Sequence, residues 1–488
     1  MPLTNRLMVL GTIFIALASA GLSLEAIAAP PPINISAMND DNYASSKGFW
    51  GFTDGINRSS ALLGDMWGLR TDLSKHGISL AILETSEYMG NVNGGVKQSA
   101  AYDGLTQIVA QMDTNRAFGH YGGLANVSVL NLHGNNLSAQ NLYTLQTASG
   151  IVGDQATRLW EIWYDQKFLD EDRLSVRVGQ QSLDQEFMVS TNALYFINTM
   201  FGWPMLPSAN MPSGGPAYPL SALGVRFNVR PVDGFNLLVG AFNGDPVKNN
   251  NGSDPQLQNR YGTSFPTNGG QLYIAEAQFS YPTLGSMVEP GQTKSLGYTY
   301  KIGAWYNTNN FSNMAVDTNG LSLADPNSNG NPLQHQGNYA WYAVADQLIW
   351  RDDKDPNRTV GIFGRVMGTP LKAYNLIDFS ANIGAVMHSP FKNRPADTLG
   401  LGVGYAHVSN QVAQLDQNTA NFTNTFTSIR NSETFVELTY QYQWKPWIQI
   451  QPDIQYAMNP GGGLANPNIP NSKIKNELIL GIRTNISF

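Results

Sequence analysis

The chain has 488 residues, of which 13% are charged and 11% aromatic, with 48 glycines, no cysteine and a formal net charge of −7. The absence of cysteine excludes disulfide frameworks, thiolate nucleophiles and cysteine-based metal sites. The negative charge argues against a nucleic-acid partner, because phosphates are bound by clustered lysine and arginine. Length alone allows either several ordinary domains or one large closed barrel.

The first residues have the pattern of an export signal. Arg6 supplies the positive charge, residues 7–20 form the apolar core, and residues 26–28 (AIA) form a small-x-small cleavage site. The triplet at 18–20 (ASA) is the alternative site but lies close to the core. Since the apolar stretch is shorter than the roughly 20 residues that a spanning helix needs, we predict a signal peptide over residues 1–28.

Helical spacing occurs in only one part of the chain, residues 50–76. Apolar residues there recur every three or four positions, and Gly77 ends the run. We predict a short amphipathic helix on the periplasmic side, within a lead-in that spans residues 29–77. The residues that define its apolar face are Leu62, Leu63, Met66, Trp67, Leu69 and Leu73.

From Ile78 onward the hydrophobic period changes to two, which is typical of strands. In residues 271–281, for example, Tyr273 and Phe279 alternate with Glu276 and Gln278. The pattern predicts sixteen strands, at about 78–92, 104–114, 123–133, 158–168, 173–181, 221–230, 235–244, 271–281, 296–307, 339–351, 359–368, 375–388, 399–408, 433–443, 447–456 and 476–488.

Three features favour a membrane barrel over a soluble sandwich, which also shows alternation. The segments approach the roughly 9 to 11 residues that a tilted strand needs to cross a bilayer. Aromatic residues such as Tyr298 and Trp341 lie near the segment ends, where interfacial girdles are expected. The polar faces carry charges, such as Arg177, that a dry core would not accept. We therefore predict an all-β fold: a sixteen-stranded antiparallel transmembrane β-barrel over residues 78–488, in the bacterial outer membrane.

The connections between these segments alternate between short and long, as such barrels require. Short connections at 170–172, 231–234 and 445–446 predict periplasmic turns. Long ones at 182–220, 245–270, 308–338 and 409–432 predict outer loops. Segment 369–374 is too short for its place in this alternation and 282–295 too long. The last strand ends on Phe488, a terminal aromatic that resembles the signature read by barrel-assembly machinery.

Several local sequences resemble the OprB family of carbohydrate-selective porins. They are residues 62–70 (LLGDMWGLR), Glu87 with 91–95 (NVNGG), 161–166 (EIWYDQ), 176–179 (VRVG), and 449–456 (QIQPDIQY) followed by 459–462 (NPGG). Met66, between Asp65 and Trp67, departs slightly from the family pattern. The resemblance runs through nearly the whole chain after the signal peptide. It implies a sixteen-stranded barrel that passes monosaccharides, especially glucose-like aldoses, by facilitated diffusion.

A sugar-selective channel must exchange the hydration of its solute for weak hydrogen bonds to carboxylates, amides and guanidinium groups. Arg177, Arg226 and Glu161 are the strongest candidates because they lie mid-strand. The alternative is that such residues form ion pairs that brace the wall. The predicted inward-facing residues are Glu87, Glu161, Asp165, Arg177, Arg226, Arg230, Glu276, Arg365, Asp378 and Arg483.

The connection 182–219 is long enough to have a role of its own. We predict that it folds into the barrel and narrows it; the alternative is an external cap. Its candidate residues are Asp184, Glu186, Phe201 and Trp203. Phe201 or Trp203 could stack on the apolar face of a pyranose, or pack against the inner wall instead.

Other chemistry finds little support in the sequence. The six histidines lack metal-ligand spacing, and residues 400–404 (GLGVG) form a strand face without side chains rather than a phosphate loop. We expect no cofactor and no metal. A general unselective porin remains an alternative, as does a barrel enzyme acting on lipid or glycan. Expected partners are monosaccharides, outer-membrane lipid and lipopolysaccharide, and the assembly machinery at Phe488; a monomer and a homotrimer both remain open.

Overall fold

The computed structural model describes residues 60–247, 254–281 and 296–488. Its strands form one closed ring in which each strand is antiparallel to both neighbours and β1 closes on β16. The predicted sixteen-stranded barrel is thereby confirmed. The strands are Ile78–Asn93 (β1), Ala100–Asp113 (β2), Gly123–Gly134 (β3), Ala156–Phe168 (β4), Leu174–Gln181 (β5), Ala222–Val232 (β6), Phe235–Asn243 (β7), Gln271–Tyr281 (β8), Tyr298–Asp317 (β9), Pro332–Arg351 (β10), Thr359–Gly368 (β11), Ile377–His388 (β12), Thr398–Val408 (β13), Ser432–Lys445 (β14), Ile448–Met458 (β15) and Glu477–Ser487 (β16).

The two faces of the wall differ as the alternation predicts. On β8, Tyr273 and Phe279 are 48% and 46% exposed on the outer face, whereas Glu276 and Gln278 on the inner face are almost completely buried. Outward apolar residues on other strands, such as Ile454 on β15, are exposed in the same way. A continuous exposed apolar belt is unfavourable in water and matches the lipid-facing band of an outer-membrane barrel.

Antiparallel order places alternate connections at opposite ends of the barrel. The turns 169–173, 233–234 and 446–447 share one end, called here the short-turn end, which corresponds to the periplasmic side of such barrels. The connections 135–155, 182–221, 244–270 and 409–431 share the long-loop end. The connection 369–376 is short although it lies at the long-loop end, and 282–295 lies outside the described residues.

The prediction of an outer loop over residues 308–338 is wrong for more than half of these residues. Strands β9 and β10 are 20 residues each and continue their pairing well beyond the predicted ends, so that only 318–331 connects them. The Asp317 carboxylate accepts the amide protons of Asn319 and Leu321 and fixes the start of this loop. Asparagine-rich strands beyond the lipid lack the apolar alternation by which strands are predicted.

The helix predicted over residues 50–76 is also shorter in the structure. Residues before 60, including the predicted signal peptide 1–28, lie outside the described residues. The helix α1 covers only Leu69–Lys75, because Met66 and Trp67 take left-handed backbone conformations and interrupt the helical geometry. The Arg70 guanidinium donates to the carbonyl oxygens of Leu80 and Phe488, which anchors α1 where β1 meets β16.

Short helices occur in the connections. They are α2 (Thr114–Phe118), α3 (Thr199–Gly202), α4 (Met205–Asn210), α5 (Pro255–Gln258), α6 (Asn410–Thr423) and α7 (Pro460–Gly463). None of the helices in the described ranges has the length and apolar character that a bilayer-spanning helix requires. Helices α3 and α4 belong to the connection between β5 and β6, which fills part of the barrel interior.

Candidate functional site

The connection 182–221, called here the collar loop, follows the inner wall of the barrel. Its backbone N–H groups donate to inward carboxylates on successive strands: Ser182 to Glu161 on β4 (2.8 Å) and Met188 to Glu276 on β8 (2.7 Å). Further along, the Ile197 amide donates to Glu437 on β14 (2.6 Å). The loop therefore lies inside the barrel, as predicted, and not over its mouth.

These carboxylates satisfy backbone groups that the interior would otherwise leave without partners. A buried amide without an acceptor costs about 1 to 3 kcal/mol. Asp346 on β10 has the same role, accepting from the Asn192 amide (3.0 Å) and the Ser190 hydroxyl (2.7 Å). Arg365 on β11 complements them, because its guanidinium donates to backbone carbonyl oxygens of the loop.

Apolar packing holds the collar loop against the inner face of β11, β13 and β14. The ring of Phe201 lies between those of Phe363 and Phe435, with centroid separations of 5.7 and 5.3 Å. A Cβ atom at Gly402 would lie 2.5 Å from the Phe201 ring, so the glycine face of β13 is the space into which this aromatic packs. Trp203 is fully buried, and its indole N–H donates to the Gly214 carbonyl (3.0 Å).

Phe201 and Trp203 are therefore packed between the collar loop and the barrel wall and do not face the open interior of the barrel. Phe201 is 1% exposed and Trp203 0%. Neither ring presents a face on which a pyranose could stack, so the structure places both in the packing role that the sequence left as the alternative.

A second inward connection, residues 135–155, is not predicted by the sequence pattern. The Gly150 amide donates to the Ile197 carbonyl (2.8 Å), and the Thr199 amide donates to the Thr147 carbonyl (3.1 Å), which joins the connection to the collar loop. The carboxylate of Glu433 on β14 accepts the amide protons of Leu145 and Gln146. Together, residues 135–155 and 182–221 form an inner layer, called here the collar.

Four charged residues meet where the collar loop leaves β5. Asp165 lies 3.0 Å from Arg177 and 2.8 Å from Arg226, and Glu186 lies 3.1 Å from Arg177 and 2.7 Å from Arg226. Strand register places the first three side by side on β4, β5 and β6. Glu186 comes from the loop. This four-charge cluster carries two positive and two negative groups, so its net charge is zero.

The surroundings of the cluster hold its geometry. The Arg177 guanidinium lies over the Trp163 ring, 3.8 Å from the centroid, which is a cation–π contact. On either side of Glu186 in the chain, the collar loop has the exposed side chains of Gln185 and Thr191 and the half-buried side chain of Asn192. Amide and hydroxyl groups of this kind can exchange hydrogen bonds with a hydrated neutral solute.

The other predicted pore residues are separate from this cluster. Glu87 pairs with Arg483 in the wall between β1 and β16, and both are buried. Asp378 pairs with His407 (2.6 Å) near the long-loop end. Arg230 donates to the Glu171 carbonyl at the short-turn end. Glu161, Glu276 and Arg365 form hydrogen bonds with the backbone of the collar loop, which is neither an open pore lining nor an ion-pair network of the wall.

Asp346, Glu433 and Glu437 are collar-binding residues that were not predicted. Alternation on β14 could have identified two of them, because Glu433 and Glu437 face inward and the exposed Leu438 faces outward. Nothing in the sequence shows that their partners are loop amides. Over the described ranges, no group of three or more acidic or histidine side chains has the arrangement of a metal site.

Asp184, the remaining predicted loop residue, stabilises the return of the collar loop. Its carboxylate accepts hydrogen bonds from the Ser182 hydroxyl (2.6 Å) and from the Tyr218 backbone amide (3.0 Å). Burial raises the pKa of Asp184 from 3.8 to about 6, in spite of these hydrogen bonds. Between these two pH values the folded loop binds more protons than the open loop. The contribution of Asp184 to the stability of the closed loop is therefore largest below pH 4 and is lost as the pH rises through 6.

We therefore expect the collar loop to open more readily at pH 7 than at pH 4, by up to about 3 kcal/mol for a shift of this size. Hydrogen–deuterium exchange of the peptide that contains Tyr218, corrected for intrinsic rates, measures this difference. Asp184→Asn should reduce the pH dependence. An equal pH dependence in the variant would mean that another group is responsible.

Comparison with known proteins agrees with this architecture. The family model described as "Carbohydrate-selective porin, OprB family" matches residues 97–488. Porin B of Pseudomonas aeruginosa is 25% identical over 454 residues, covering 88% of this chain and 92% of its own length.

Two solved structures of Pseudomonas putida OprB are similar in fold. The high-pH structure aligns with a TM-score of 0.76 at 24% identity, over 89% of this chain and all of that one. The low-pH structure aligns with a TM-score of 0.54 at 18% identity, over 88% of this chain and 99% of that one. With a family model that matches most of its length, the chain belongs to the OprB family and is a carbohydrate-selective porin of the outer membrane.

Proposed function

We propose that this porin carries neutral monosaccharides, in particular glucose-like aldoses, into the periplasm by passive diffusion. The observation that supports this most directly is the four-charge cluster beside the collar. Its guanidinium and carboxylate groups, Arg177 and Arg226 with Asp165 and Glu186, neutralise one another at hydrogen-bond distances. A pathway that is polar but locally neutral favours neither cations nor anions.

The collar also offers an uncharged polar surface to a solute. Gln185 and Thr191 are exposed, and each side chain can both donate and accept a hydrogen bond. Sugar hydroxyls have the same dual character. A passing sugar can thus exchange hydrogen bonds to water for hydrogen bonds to the protein. The binding that results is weak, so the sugar can leave again.

Liposome swelling with a panel of aldoses, ketoses and disaccharides tests this proposal. We expect aldohexoses to enter faster than ketoses of equal size and much faster than disaccharides. Liposomes that contain the same mass of heat-denatured protein provide the control. A folded preparation that admits no sugar would contradict the proposal.

The same experiment separates the nearer alternative. An unselective porin would rank solutes by size alone and treat aldoses and ketoses of one mass equally. No arrangement of side chains described above favours a barrel enzyme. Membrane lipid and lipopolysaccharide are the proposed partners of the outer apolar belt, and assembly machinery is the proposed partner of the strand that ends near Phe488. Chemical cross-linking in membranes would distinguish a monomer from a homotrimer.

A further inference from the structure

A cavity of about 320 Å³ lies on the short-turn side of the four-charge cluster, between the inner faces of β5 to β8. Glu186 of the collar loop closes one side, and residues of the turn 169–173 line the other. We call this cavity the vestibule. A solute that passes the collar toward the short-turn end would enter it. Its polar lining includes Asp172, Arg173, Glu186, Asn228, Arg230 and Asn236.

Strand pairing gives the vestibule an amide-rich wall. Asn228 on β6 pairs with Leu238 on β7, which places an amide beside an apolar side chain. One step nearer the turns, Asn236 on β7 pairs with Gln278 on β8. Three amides and an apolar surface thus lie on adjacent inward positions of three neighbouring strands. A sugar ring has both polar edges and apolar faces, and this surface matches both.

The charged groups of the vestibule balance one another, and each has at least one partner. Asp172 accepts hydrogen bonds from Lys167 (3.0 Å) and Tyr121 (2.8 Å), which hold the pKa of its carboxyl below the ordinary value, so it stays ionised. Arg173 binds the Glu171 carboxylate, and Arg230 donates to the Glu171 carbonyl. The Nε of Arg230 has no partner among the described residues, but an anion that approached it would also meet the negative charges of Asp172 and Glu186.

The asparagines differ from these charged groups. Within the described part of the chain, the side-chain amides of Asn228 and Asn236 form no hydrogen bond, although both line the cavity. Each amide offers two donors and an acceptor, and each sugar hydroxyl offers one donor and two acceptors. Gln278 differs from them, because its amide donates to the Glu276 carboxylate (2.6 Å). The hydrogen-bonding capacity of the two asparagines is therefore open to a ligand and matches that of a polyol.

We propose that the vestibule is a second sugar-binding station, in which Asn228 and Asn236 bind a neutral monosaccharide after it has passed the collar. This inference rests on the proposed function. It assigns the release side of the pathway a site of its own, distinct from the collar. A weak binding site there would divide the path between the collar and the periplasm into two shorter steps, each with a lower free-energy barrier.

Ion current through single channels in planar bilayers tests the station, with D-glucose added to the short-turn side. Glucose should reduce the current in a saturable way. In Asn228→Ala/Asn236→Ala we expect the half-blocking concentration to rise by about tenfold, as the loss of two ordinary hydrogen bonds predicts. Asn357→Ala is the matched control, since this exposed asparagine lies in a turn at the same end but outside the cavity.

Each outcome is decisive. If the double variant is folded and blocked at the wild-type glucose concentration, the station does not exist, while the channel proposal stands. If gluconate blocks at lower concentrations than glucose, and the double variant loses that block, the vestibule is an anion site and the assignment to a sugar is wrong. Absence of sugar flux in the wild-type channel would instead contradict the proposed function.

Discussion

Replacement of Arg226 by methionine is expected to make the channel cation-selective. Arg226 is almost completely buried and, like Arg177, pairs with both Asp165 and Glu186. Without it, the four-charge cluster has one positive and two negative groups. At an effective dielectric constant of about 20, a unit charge about 4 Å away is worth about 4 kcal/mol. The substitution therefore creates a strong negative potential beside the collar.

The expected size of the effect is smaller than this figure, because mobile ions screen the site. Since each 1.4 kcal/mol changes an equilibrium tenfold, we expect the cation-to-anion permeability ratio to rise by about one order of magnitude. The reversal potential in a potassium chloride gradient measures the ratio. Sugar flux should fall as well, because water and cations will be held at the site that the sugar must cross.

Two further variants make this prediction specific. Arg226→Met/Glu186→Gln restores zero net charge, so it should return the reversal potential close to the wild-type value. Arg260→Met removes the same charge from an outer loop, where the guanidinium donates to the Gln155 carbonyl, and should have little effect. If the double variant remained as cation-selective as Arg226→Met, the balance of this cluster would not determine selectivity.

The barrel wall could be predicted from the sequence because one physical rule governs all of it. Each strand has a face in lipid and a face toward the interior, and the period-two pattern records that difference residue by residue. On β15 the outward Ile454 is 45% exposed and the inward Asp453 is 2% exposed. The rule fails beyond the lipid. For this reason the alternation does not extend over the outer parts of β9 and β10. The helix predicted over residues 60–68 fails for another reason, because apolar spacing does not reveal the left-handed conformations of Met66 and Trp67.

The candidate site was predictable only in part. Asp165, Arg177 and Arg226 were identified from their inward positions, and the structure brings them together with Glu186. The roles of Glu276 and Arg365 could not be derived in this way. An inward carboxylate has the same sequence signature whether it contacts water, an arginine or a loop amide. The partner is set by the path of a connection, and alternation within a strand contains no information about that path.

The collar itself depends on Arg365, which gives the second prediction. Its buried guanidinium donates to the carbonyl oxygens of Met188 (2.9 Å), Gly202 (3.0 Å) and Met200. Arg365→Met leaves these three carbonyls without a donor, at about 1 to 3 kcal/mol each. The barrel wall should survive because its strand-to-strand hydrogen bonds are untouched. We expect the collar to detach locally from β11, the single-channel conductance to rise severalfold, and disaccharides to enter liposomes that exclude them in the wild type.

Two arginine variants test whether this effect comes from the collar or from loss of charge. Arg358→Met removes a partly exposed arginine that pairs with Asp352 (3.6 Å) in a turn at the short-turn end, and it should leave both conductance and the size limit unchanged. Arg365→Lys keeps the charge, but a single ammonium cannot reach three separated carbonyls, so it should show an intermediate phenotype. If Arg365→Met folds and retains wild-type conductance and size limit, the collar is held in place by its carboxylate and aromatic contacts alone.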